Sequence, residues 1–351
     1  MQNPSAAPHT VLIVGAGRIA GLNETDPVRQ KPCTHVGGFQ GNAAFNVIGV
    51  VDVDPAKAKA FTKTFRLPNA FGSIGEAMAA THPDLVTIAV PYQFHAGIVA
   101  EICASAHAPK AIFCEKPLSN ELGAAIAMKE MCDRRGVRLF VNNRRLLPFY
   151  ETVKSLLRDT FDNETISATA WTSSGLLAVG VHMLDLLQYI FGRAEWVLAR
   201  TETEFVSSLP FSNNFRPDEP RASGLIAFKN GPLVSFVNSA LTSFTYFELE
   251  ILCRRGKIRA SDNGNRLEIW QPAEPGKSTL SYGLDKPTFV PVDNTPLFAA
   301  IADSLIDALD APPTDSHPLS AVHAIDTLRL IDAFVRSGQK ENKVFLTEAR
   351  Q

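Results

Sequence analysis

The sequence has few cysteines and little excess charge. Its 351 residues include five cysteines, an odd number with no C-x-x-C pair, so neither a disulfide framework nor a zinc site is predicted. We expect no bound metal and thiols that stay reduced. The formal net charge of −2 gives no electrostatic case for binding nucleic acid or anionic lipid. Small molecules are therefore the expected partners.

A long hydrophobic run is also missing. No stretch approaches the roughly 18 consecutive apolar residues of a membrane-spanning helix, and residues 1–10 have no basic segment followed by an apolar one. We therefore expect no membrane contact and a cytoplasmic protein. The composition, 45% hydrophobic and 20% charged, is ordinary for a globular chain, and the length favours two domains.

The first part of the chain alternates short β-branched runs with helical patterns, which is typical of βαβ units around a parallel sheet. We predict a doubly wound nucleotide-binding domain over residues 1–145. Its predicted strands are 11–14, 46–52, 85–90, 111–114 and 138–142, and its predicted helices are 55–65, 95–106 and 121–135.

Residues 146–351 show strand patterns that follow one another without helices between them, which indicates an α+β domain on a large, mostly antiparallel open sheet. Lys229-Asn230-Gly231 predicts a hairpin turn. We expect the last two helices to pack on this sheet or back on the first domain. The predicted strands are 165–171, 197–205, 222–228, 233–238, 247–253 and 266–270; the helices are 182–191, 297–309 and 319–337; the loops are 207–220 and 271–291.

A glycine-rich turn follows the first predicted strand, with the sequence Gly15-Ala16-Gly17-Arg18-Ile19-Ala20. Gly15 permits a tight turn, Gly17 leaves room for a pyrophosphate, and the small Ala20 lets a helix pack on the strand. Phosphates would bind the N–H groups at the start of that helix. The motif predicts a dinucleotide site; the alternative is a glycine turn without a ligand.

Asp52 ends the second predicted strand. A carboxylate there binds the ribose hydroxyls and repels a 2′-phosphate, so NAD is favoured over NADP. Asp52 follows Gly15 by 37 residues, whereas about 20 is usual; residues 22–32 therefore read as an insertion before the helix resumes near His35. We hypothesise that the insertion folds over the cofactor or narrows the substrate entrance. Alternatively, Asp52 is an ordinary strand-end residue and Asp54 is the first-turn acid of the next helix.

Glu115-Lys116-Pro117 follows the strand predicted at 111–114, so a parallel sheet would deliver it to the same edge as Gly15. An ammonium can donate a hydrogen bond to a substrate oxygen as charge develops there. Lys116 is therefore the candidate reacting residue; the alternative is a surface lysine in a loop. A cis bond before Pro117 would hold this turn rigid.

Taken together, these motifs resemble the glucose-fructose oxidoreductase, inositol dehydrogenase and MocA-like (Gfo/Idh/MocA) family of NAD(P)-dependent oxidoreductases. The resemblance covers nearly the whole chain, and it is specific because several spaced motifs occur in the right order. The residues that carry it are 15–20, Asp52, Val90-Pro91 with His95, Glu115-Lys116-Pro117, Arg145 and Gly180-x-His182-x-x-Asp185.

The resemblance implies a Rossmann first domain that binds NAD and a second domain that supplies an open sheet and the substrate pocket. Self-association into a homodimer or homotetramer is expected on the same ground. The implied cofactor-binding residues are Gly15, Gly17, Arg18, Ile19, Asp52, Pro91, His95, Glu115 and Lys116.

For catalysis, the resemblance implies that Lys116 binds the reacting oxygen and that His182 is the acid/base. Many members carry an Asp four residues before this histidine, but this chain has Ala178, so the proton relay rests on His182 with Lys116, or on water. The alternative for His182 is a residue that caps or packs its helix. Asp185 would share a helix face with His182 and could orient its ring, or be structural.

Three further positions have two readings each. His95, with Pro91, matches the loop on the nicotinamide side, or His95 caps its helix. Arg145 offers a guanidinium that could hold a substrate phosphate or carboxylate, or it has a structural role at the domain junction. Trp171 could form a wall of the substrate pocket or belong to the core.

The sequence thus predicts an NAD-dependent oxidoreductase that transfers a hydride between nicotinamide and a secondary alcohol or ketone of a sugar, sugar derivative or cyclitol. Two alternatives stay open. One is a redox-neutral enzyme that oxidises a sugar only transiently, with glycosidic cleavage or elimination as its net reaction. The other is a non-catalytic NAD(H)-binding regulator.

Overall fold

Six short strands form a parallel sheet in the computed structural model, which describes residues 7–202, 219–239, 242, 244–274, 283–312 and 314–346. The strand order is β3-β2-β1-β4-β5-β6, so the chain winds outward in both directions from β1. This order confirms the doubly wound fold. The strands are β1 (His9–Val14), β2 (Phe45–Val51), β3 (Ala70–Phe71), β4 (Leu85–Ile88), β5 (Ala111–Cys114) and β6 (Arg138–Val141).

Helices connect these strands, and their ends follow from the local sequence. Asp54 accepts hydrogen bonds from the N–H groups of Ala56 and Lys57, and Pro55 occupies the first turn, where its missing N–H is not needed. Ser73 caps the next helix in the same way. The helices are α1 (His35–Gln40), α2 (Pro55–Phe65), α3 (Ile74–Thr81), α4 (His95–Ala104) and α5 (Leu122–Arg134).

A nine-stranded sheet follows in the order β14-β13-β12-β11-β7-β10-β9-β8-β15. Within the residues that the structure describes, β7 and β10 are the only parallel neighbours in this sheet. This pattern confirms a mostly antiparallel α+β domain. The turn at 229–231 joins the antiparallel β9 and β10 as predicted. The strands are β7 (Thr165–Ser173), β8 (Ala194–Thr201), β9 (Ala222–Phe228), β10 (Leu233–Ser239), β11 (Phe247–Cys253), β12 (Gly256–Ser261), β13 (Arg266–Trp270), β14 (Thr288–Val290) and β15 (Val344–Phe345).

Four more helices complete the described chain: α6 (Pro148–Phe161), α7 (Val181–Phe191), α8 (Leu297–Asp310) and α9 (Ala321–Lys340). The sequence did not predict α3, α6, β3, β12 or β15, and β14 lies inside the segment predicted as loop 271–291. Residues 203–205 of one predicted strand, nearly all of loop 207–220 and part of loop 271–291 lie outside the described residues. Among the residues that are described, no helix is long and apolar enough to cross a membrane.

The chain folds into two units, each of which takes a late segment of the sequence. The first comprises Met1–Leu147 with Thr295–Ile325, and the second comprises Pro148–Asn294 with Asp326–Gln351. Helix α8 is therefore distant in sequence from the first unit but belongs to its core. Its side chains Phe298, Ile301 and Leu305 are buried with those of α1 and of the parallel sheet.

Two contacts fix α8 in the first unit. Gly38 of α1 lies against the backbone of Phe298, so close that a Cβ at residue 38 would be 2.6 Å from the Phe298 carbonyl oxygen. At the other end of α8, the Arg138 guanidinium donates to the carbonyls of Leu309 (2.7 Å) and Ala311 (2.8 Å). These carbonyls at a helix C-terminus would otherwise lack a partner within the helix.

The first prediction concerns this helix contact. We expect Gly38→Ala to lower the free energy of unfolding by about 1–3 kcal/mol, because the new methyl group overlaps backbone that cannot rotate away. In Gly123→Ala, on α5, the methyl group meets no atom within 4 Å. We expect that control to be neutral or more stable by about 0.5–1 kcal/mol. Urea unfolding of both variants is the measurement, and equal stability would contradict the packing of α8 on α1.

Candidate active site

The glycine-rich turn has the geometry that its residue types predict. Gly15 has φ +102°, and a Cβ there would lie 2.8 Å from Val90 Cγ1, so both the backbone conformation and the packing require glycine. A Cβ at Gly17 would meet no atom within 4 Å, which leaves this side of the turn open. Within the described chain, the N–H groups of Arg18 and Ile19 meet no main-chain acceptor. The turn therefore fits a pyrophosphate.

The predicted insertion is accommodated without breaking the hydrogen bonds of the helix that follows the turn. Glu24, in the insertion, accepts hydrogen bonds from the Cys33 N–H (2.6 Å) and the Thr34 hydroxyl (2.9 Å). Helix α1 then begins at His35, and the N–H of His35 donates to the Ile19 carbonyl at 3.1 Å. The helix thus resumes at the predicted residue. Contact of the insertion with a cofactor or substrate stays a prediction.

Asp52 and Asp54 have different roles. Asp52 accepts hydrogen bonds from the N–H groups of Ala16 and Asp54, both at 2.9 Å, and so ties the end of β2 to the glycine-rich turn. Asp54 is the N-cap of α2. A cleft of about 560 Å³ is lined by Gly15, Asp52 and Pro91, among others, a volume within the usual range for small-molecule sites. Its residues fit the adenosine half of a dinucleotide, and ribose binding by Asp52 stays a prediction.

Glu115 and Lys116 follow β5 at the same edge of the sheet as Gly15. The Glu115 carboxylate is buried, and its Oε1 accepts from His35 Nε2 at 2.9 Å and from Asn142 Nδ2 at 2.6 Å. Burial acts to raise the pKa of Glu115, but the hydrogen bond and charge of His35, the Asn142 amide and the Lys116 ammonium together hold it below its ordinary value. The Glu115 carboxylate is thus directed at His35 and Asn142. Lys116 is half-buried, and its bond to Pro117 is cis.

His95 connects two loops of the first unit. Its ring nitrogens lie 3.1 Å from the Leu118 carbonyl and 2.9 Å from the Val90 carbonyl, and the side chain is fully buried. Burial lowers the pKa of His95, while the two hydrogen bonds oppose that effect. The ring therefore supports the loops that carry Pro91 and Lys116. A direct contact of His95 with the cofactor stays a prediction.

His182 lies in the first turn of α7 in the second unit and is 6% exposed. The Tyr150 hydroxyl donates to the His182 carbonyl at 3.0 Å. One turn earlier, the Ala178 N–H donates to the buried carboxylate of Glu219, and Gly175 leaves room for this carboxylate where any side chain would overlap it. A buried carboxylate therefore binds the main-chain N–H of residue 178, the position where the sequence lacks an acidic side chain.

Asp185 is buried further along α7. Its Oδ1 lies 3.4 Å from the hydroxyl of Thr327 on α9, and the same hydroxyl accepts from Gln188 at 3.1 Å. These contacts tie α7 to α9 within the second unit, which supports the structural reading of Asp185. Orientation of the His182 ring by Asp185 stays a prediction.

The two remaining substrate candidates lie in different units. Arg145 is half-buried in a short 3₁₀ turn directly after β6. Trp171 alternates along β7 with Ala170 and Thr172, whose side chains are buried on the opposite face. On that face, Thr172 accepts from Asn238, which lies beneath the turn that leads into α7. The structure therefore does not bring Trp171 to the sheet face on which that turn lies, and its contact with a substrate stays a prediction.

Sequence reasoning missed His35, Asn142 and Glu219. His35 was marked only as the residue where the helix resumes, and Asn142 only as the end of a strand. The parallel sheet order could have suggested Asn142, because residues that directly follow β5 and β6 meet at one edge. No pattern in the sequence indicates that Glu219 binds the Ala178 N–H.

Comparison with known proteins matches both parts of the chain to one family. Residues 9–143 match the model of the Gfo/Idh/MocA oxidoreductase family, described as an NAD-binding Rossmann fold. Residues 152–259 match the C-terminal domain model of the same family.

Individual relatives resemble this chain at low sequence identity. A D-apiose dehydrogenase of Rhizobium rhizogenes is 27% identical over 64% of this chain and 69% of its own length. An inositol 2-dehydrogenase of Rhizobium meliloti is 30% identical over 42% of this chain and 40% of its own length. The chain spans about half the length of several curated relatives that it matches, 54% in one case.

A solved structure shows the same fold. The WlbA dehydrogenase of Bordetella pertussis, in complex with NADH and UDP-GlcNAcA, superposes with a TM-score of 0.75. The match covers 97% of this chain and 99% of that one, at 18% sequence identity. The likeness extends over both units.

The second prediction separates the roles of Asp52 and Asp54. We expect Asp52→Asn to weaken NAD binding by roughly 10- to 100-fold, because a hydrogen bond to a charged group contributes about 1.5–3 kcal/mol. The same change should narrow the preference for NAD over NADP, since the repulsion of a 2′-phosphate is lost. The single amide oxygen can still accept from the Ala16 N–H, so the bond to the glycine-rich turn is kept while the bond from the Asp54 N–H is lost.

Asp54→Asn is the matched control, because asparagine caps helices as well as aspartate does. Titration calorimetry with NAD and NADP is the measurement for both variants. If Asp52→Asn binds both cofactors as the wild type does, Asp52 does not contact the ribose.

Proposed function

The chain belongs to the Gfo/Idh/MocA family of oxidoreductases, whose first domain is an NAD-binding Rossmann fold, and from this premise we propose that it transfers a hydride between NAD and a secondary alcohol or ketone. The observation that carries the proposal is the position of Lys116. This lysine follows β5 with only Glu115 between them, at the sheet edge that also holds the glycine-rich turn, and the Glu115 carboxylate is fixed by two hydrogen bonds.

The substrate we propose is a sugar, a sugar derivative or a cyclitol. The names of the relatives support this class, since one acts on D-apiose and another on inositol, and the solved WlbA structure contains a nucleotide sugar. A polyol offers the secondary hydroxyl group that hydride transfer requires. The half-buried Arg145 is the candidate for a phosphate or carboxylate on such a substrate.

In the oxidation direction, NAD supplies the hydride acceptor when it is bound. The Lys116 ammonium donates a hydrogen bond to the substrate oxygen and stabilises the negative charge that develops there. His182 accepts the proton of the substrate hydroxyl, so that the carbon loses a hydride and the oxygen loses a proton. Reduction runs through the same steps in reverse, with His182 as the proton donor.

A substrate screen tests the proposal. Sugars, sugar acids, nucleotide sugars and inositols are supplied with NAD or NADP, and the absorbance of the reduced nicotinamide is followed. We expect it to accumulate with at least one polyol. NAD binding without turnover of any compound would contradict the enzyme, and product formation without reduced cofactor would indicate redox-neutral chemistry instead.

The third prediction concerns Lys116. We expect Lys116→Ala to lower kcat by about 10²- to 10³-fold, the usual cost of removing one hydrogen-bond donor to a developing negative charge, while the Kd for NAD changes little. Lys110→Ala is the matched control, because Lys110 directly precedes β5 at its other end and pairs with Asp84 at 3.1 Å. A Lys116→Ala variant with near-normal kcat would exclude the proposed role.

The fourth prediction concerns His182. As a base, the ring must be neutral, so kcat for oxidation should fall toward acidic pH in the wild type. We expect His182→Gln to lower kcat by at least about 100-fold and to abolish that acidic limb. The measurement is kcat across a pH series. An unchanged limb in the variant would mean that another group accepts the proton.

A further inference from the structure

A histidine outside the predicted motifs is buried beside the candidate reacting lysine. His35, the first residue of α1, is fully buried, and its Nε2 lies 2.9 Å from the Glu115 carboxylate. The two residues are 80 positions apart in sequence and both belong to the first unit. Because the side chains around them come from the core, this hydrogen-bonded pair is shielded from solvent.

Stability alone does not account for a polar pair at this place. The His35 ring packs against the rings of Phe113 and Phe298, each with its centroid 5.2 Å away. In such surroundings, replacing both partners of a buried hydrogen bond by apolar side chains of similar shape can be nearly neutral or stabilising. The role of the pair therefore lies in what it holds in place.

The pair fixes the chain directly before Lys116. Glu115 Oε1 accepts from both His35 and Asn142, so donors from two separate elements hold the carboxylate. Its other oxygen lies 3.4 Å from the Lys116 N–H, and the Glu115 N–H donates to the Ile88 carbonyl at 3.0 Å. Rotation of the Glu115 side chain would break its bonds to His35, to Asn142 and to the Lys116 N–H, so the main chain of Lys116 would lose one of its fixed contacts.

The backbone of His35 reaches in the other direction, toward the glycine-rich turn. The N–H groups of His35 and Val36 donate to the carbonyls of Ile19 (3.1 Å) and Ala20 (2.9 Å). Through its main chain, His35 thus holds the turn that fits a pyrophosphate. Through its side chain, it holds Glu115, the residue that supports Lys116.

We propose that His35 is a positioning residue for Lys116, which links the glycine-rich turn to the lysine through the carboxylate of Glu115. The inference rests on the proposed function of Lys116. Without the imidazole, Glu115 keeps the Asn142 amide but loses one of its two buried hydrogen-bond donors, and burial then favours the protonated or displaced carboxyl group. The Lys116 amine would lose both its fixed backbone and a neighbouring negative charge.

The fifth prediction concerns His35→Leu, and its measurement is the pH dependence of labelling at the Lys116 amine. Pulse labelling of the amine with acetic anhydride over a pH series, located by peptide mass spectrometry, gives the pH midpoint of Lys116 in the absence of NAD and substrate. We expect His35→Leu to move this midpoint and to lower kcat by about 10- to 100-fold, as misplacement of a reacting group does. His35→Gln keeps a donor near Glu115, and it should retain most of both properties.

Two further variants separate positioning from folding. Phe39→Leu removes core volume from the same helix, next to Phe113, and an apolar side chain has no hydrogen bond to give to Glu115. It should lose stability yet keep the labelling midpoint. If His35→Leu does not fold, the double variant His35→Leu with Glu115→Leu removes the whole buried pair and should move the midpoint as well. A wild-type midpoint in the folded His35→Leu or double variant would overturn the inference.

The outcomes also separate this inference from the proposed function. A shifted midpoint together with normal turnover of Lys116→Ala would support the positioning by His35 and refute the role of Lys116 in catalysis. Loss of turnover in Lys116→Ala together with an unshifted midpoint in His35→Leu would support the role of Lys116 in catalysis and refute its positioning by His35.

Discussion

The parallel register of the six-stranded sheet determines where the candidate residues of the first unit lie. At four places, the last carbonyl of one strand accepts a hydrogen bond from the N–H of the residue that follows the neighbouring strand. Gly15 donates to Val51, Ala89 to Val14, Glu115 to Ile88, and Asn142 to Cys114, at 2.7–3.0 Å. Residues that follow different strands are therefore held at one edge by main-chain bonds. The sheet thus sets the main-chain positions at this edge, and the sequence decides which chemistry each position carries.

The same need to satisfy main-chain groups explains how the first helix tolerates an insertion. A helix carbonyl that loses its partner inside a protein carries a desolvation penalty. Here the carbonyls of Ile19 and Ala20 receive N–H groups from His35 and Val36, so the bonds of a continuous helix are kept. Glu24 meanwhile satisfies the N–H of Cys33, at the end of the insertion. The glycine-rich turn can thus keep its geometry although about a dozen extra residues leave the helix and return.

Sequence patterns predicted those parts of the fold that local burial determines. Helix α2 has the predicted bounds, because Asp54 and Pro55 mark its start, and β5 is a fully buried apolar run. Strand β12 was missed although Lys257 and Arg259 alternate with its apolar residues, which is the period-two pattern of a half-buried strand. Helix α6 was missed although Tyr150, Val153 and Leu157 form a helical stripe, because aromatic and β-branched residues also favour strands. The site followed the same division: the motifs placed Gly15, Asp52 and Lys116, whereas the bond between His35 and Glu115 joins residues too distant for any local pattern.

In the second unit, a carboxylate from a distant part of the chain binds the main chain at the position where the motif lacks an acidic side chain. The turn that precedes His182 begins a helical segment, and the first N–H groups of such a segment need acceptors from elsewhere. A side chain at position 178 itself could supply a carboxylate nearby, but this chain has alanine there. The acceptor is instead Glu219, 41 residues further along, at the entry to β9, and Gly175 provides the space for it. A reading of residues 178–185 alone therefore undercounts the acidic groups at this turn, since one of them arrives through tertiary structure.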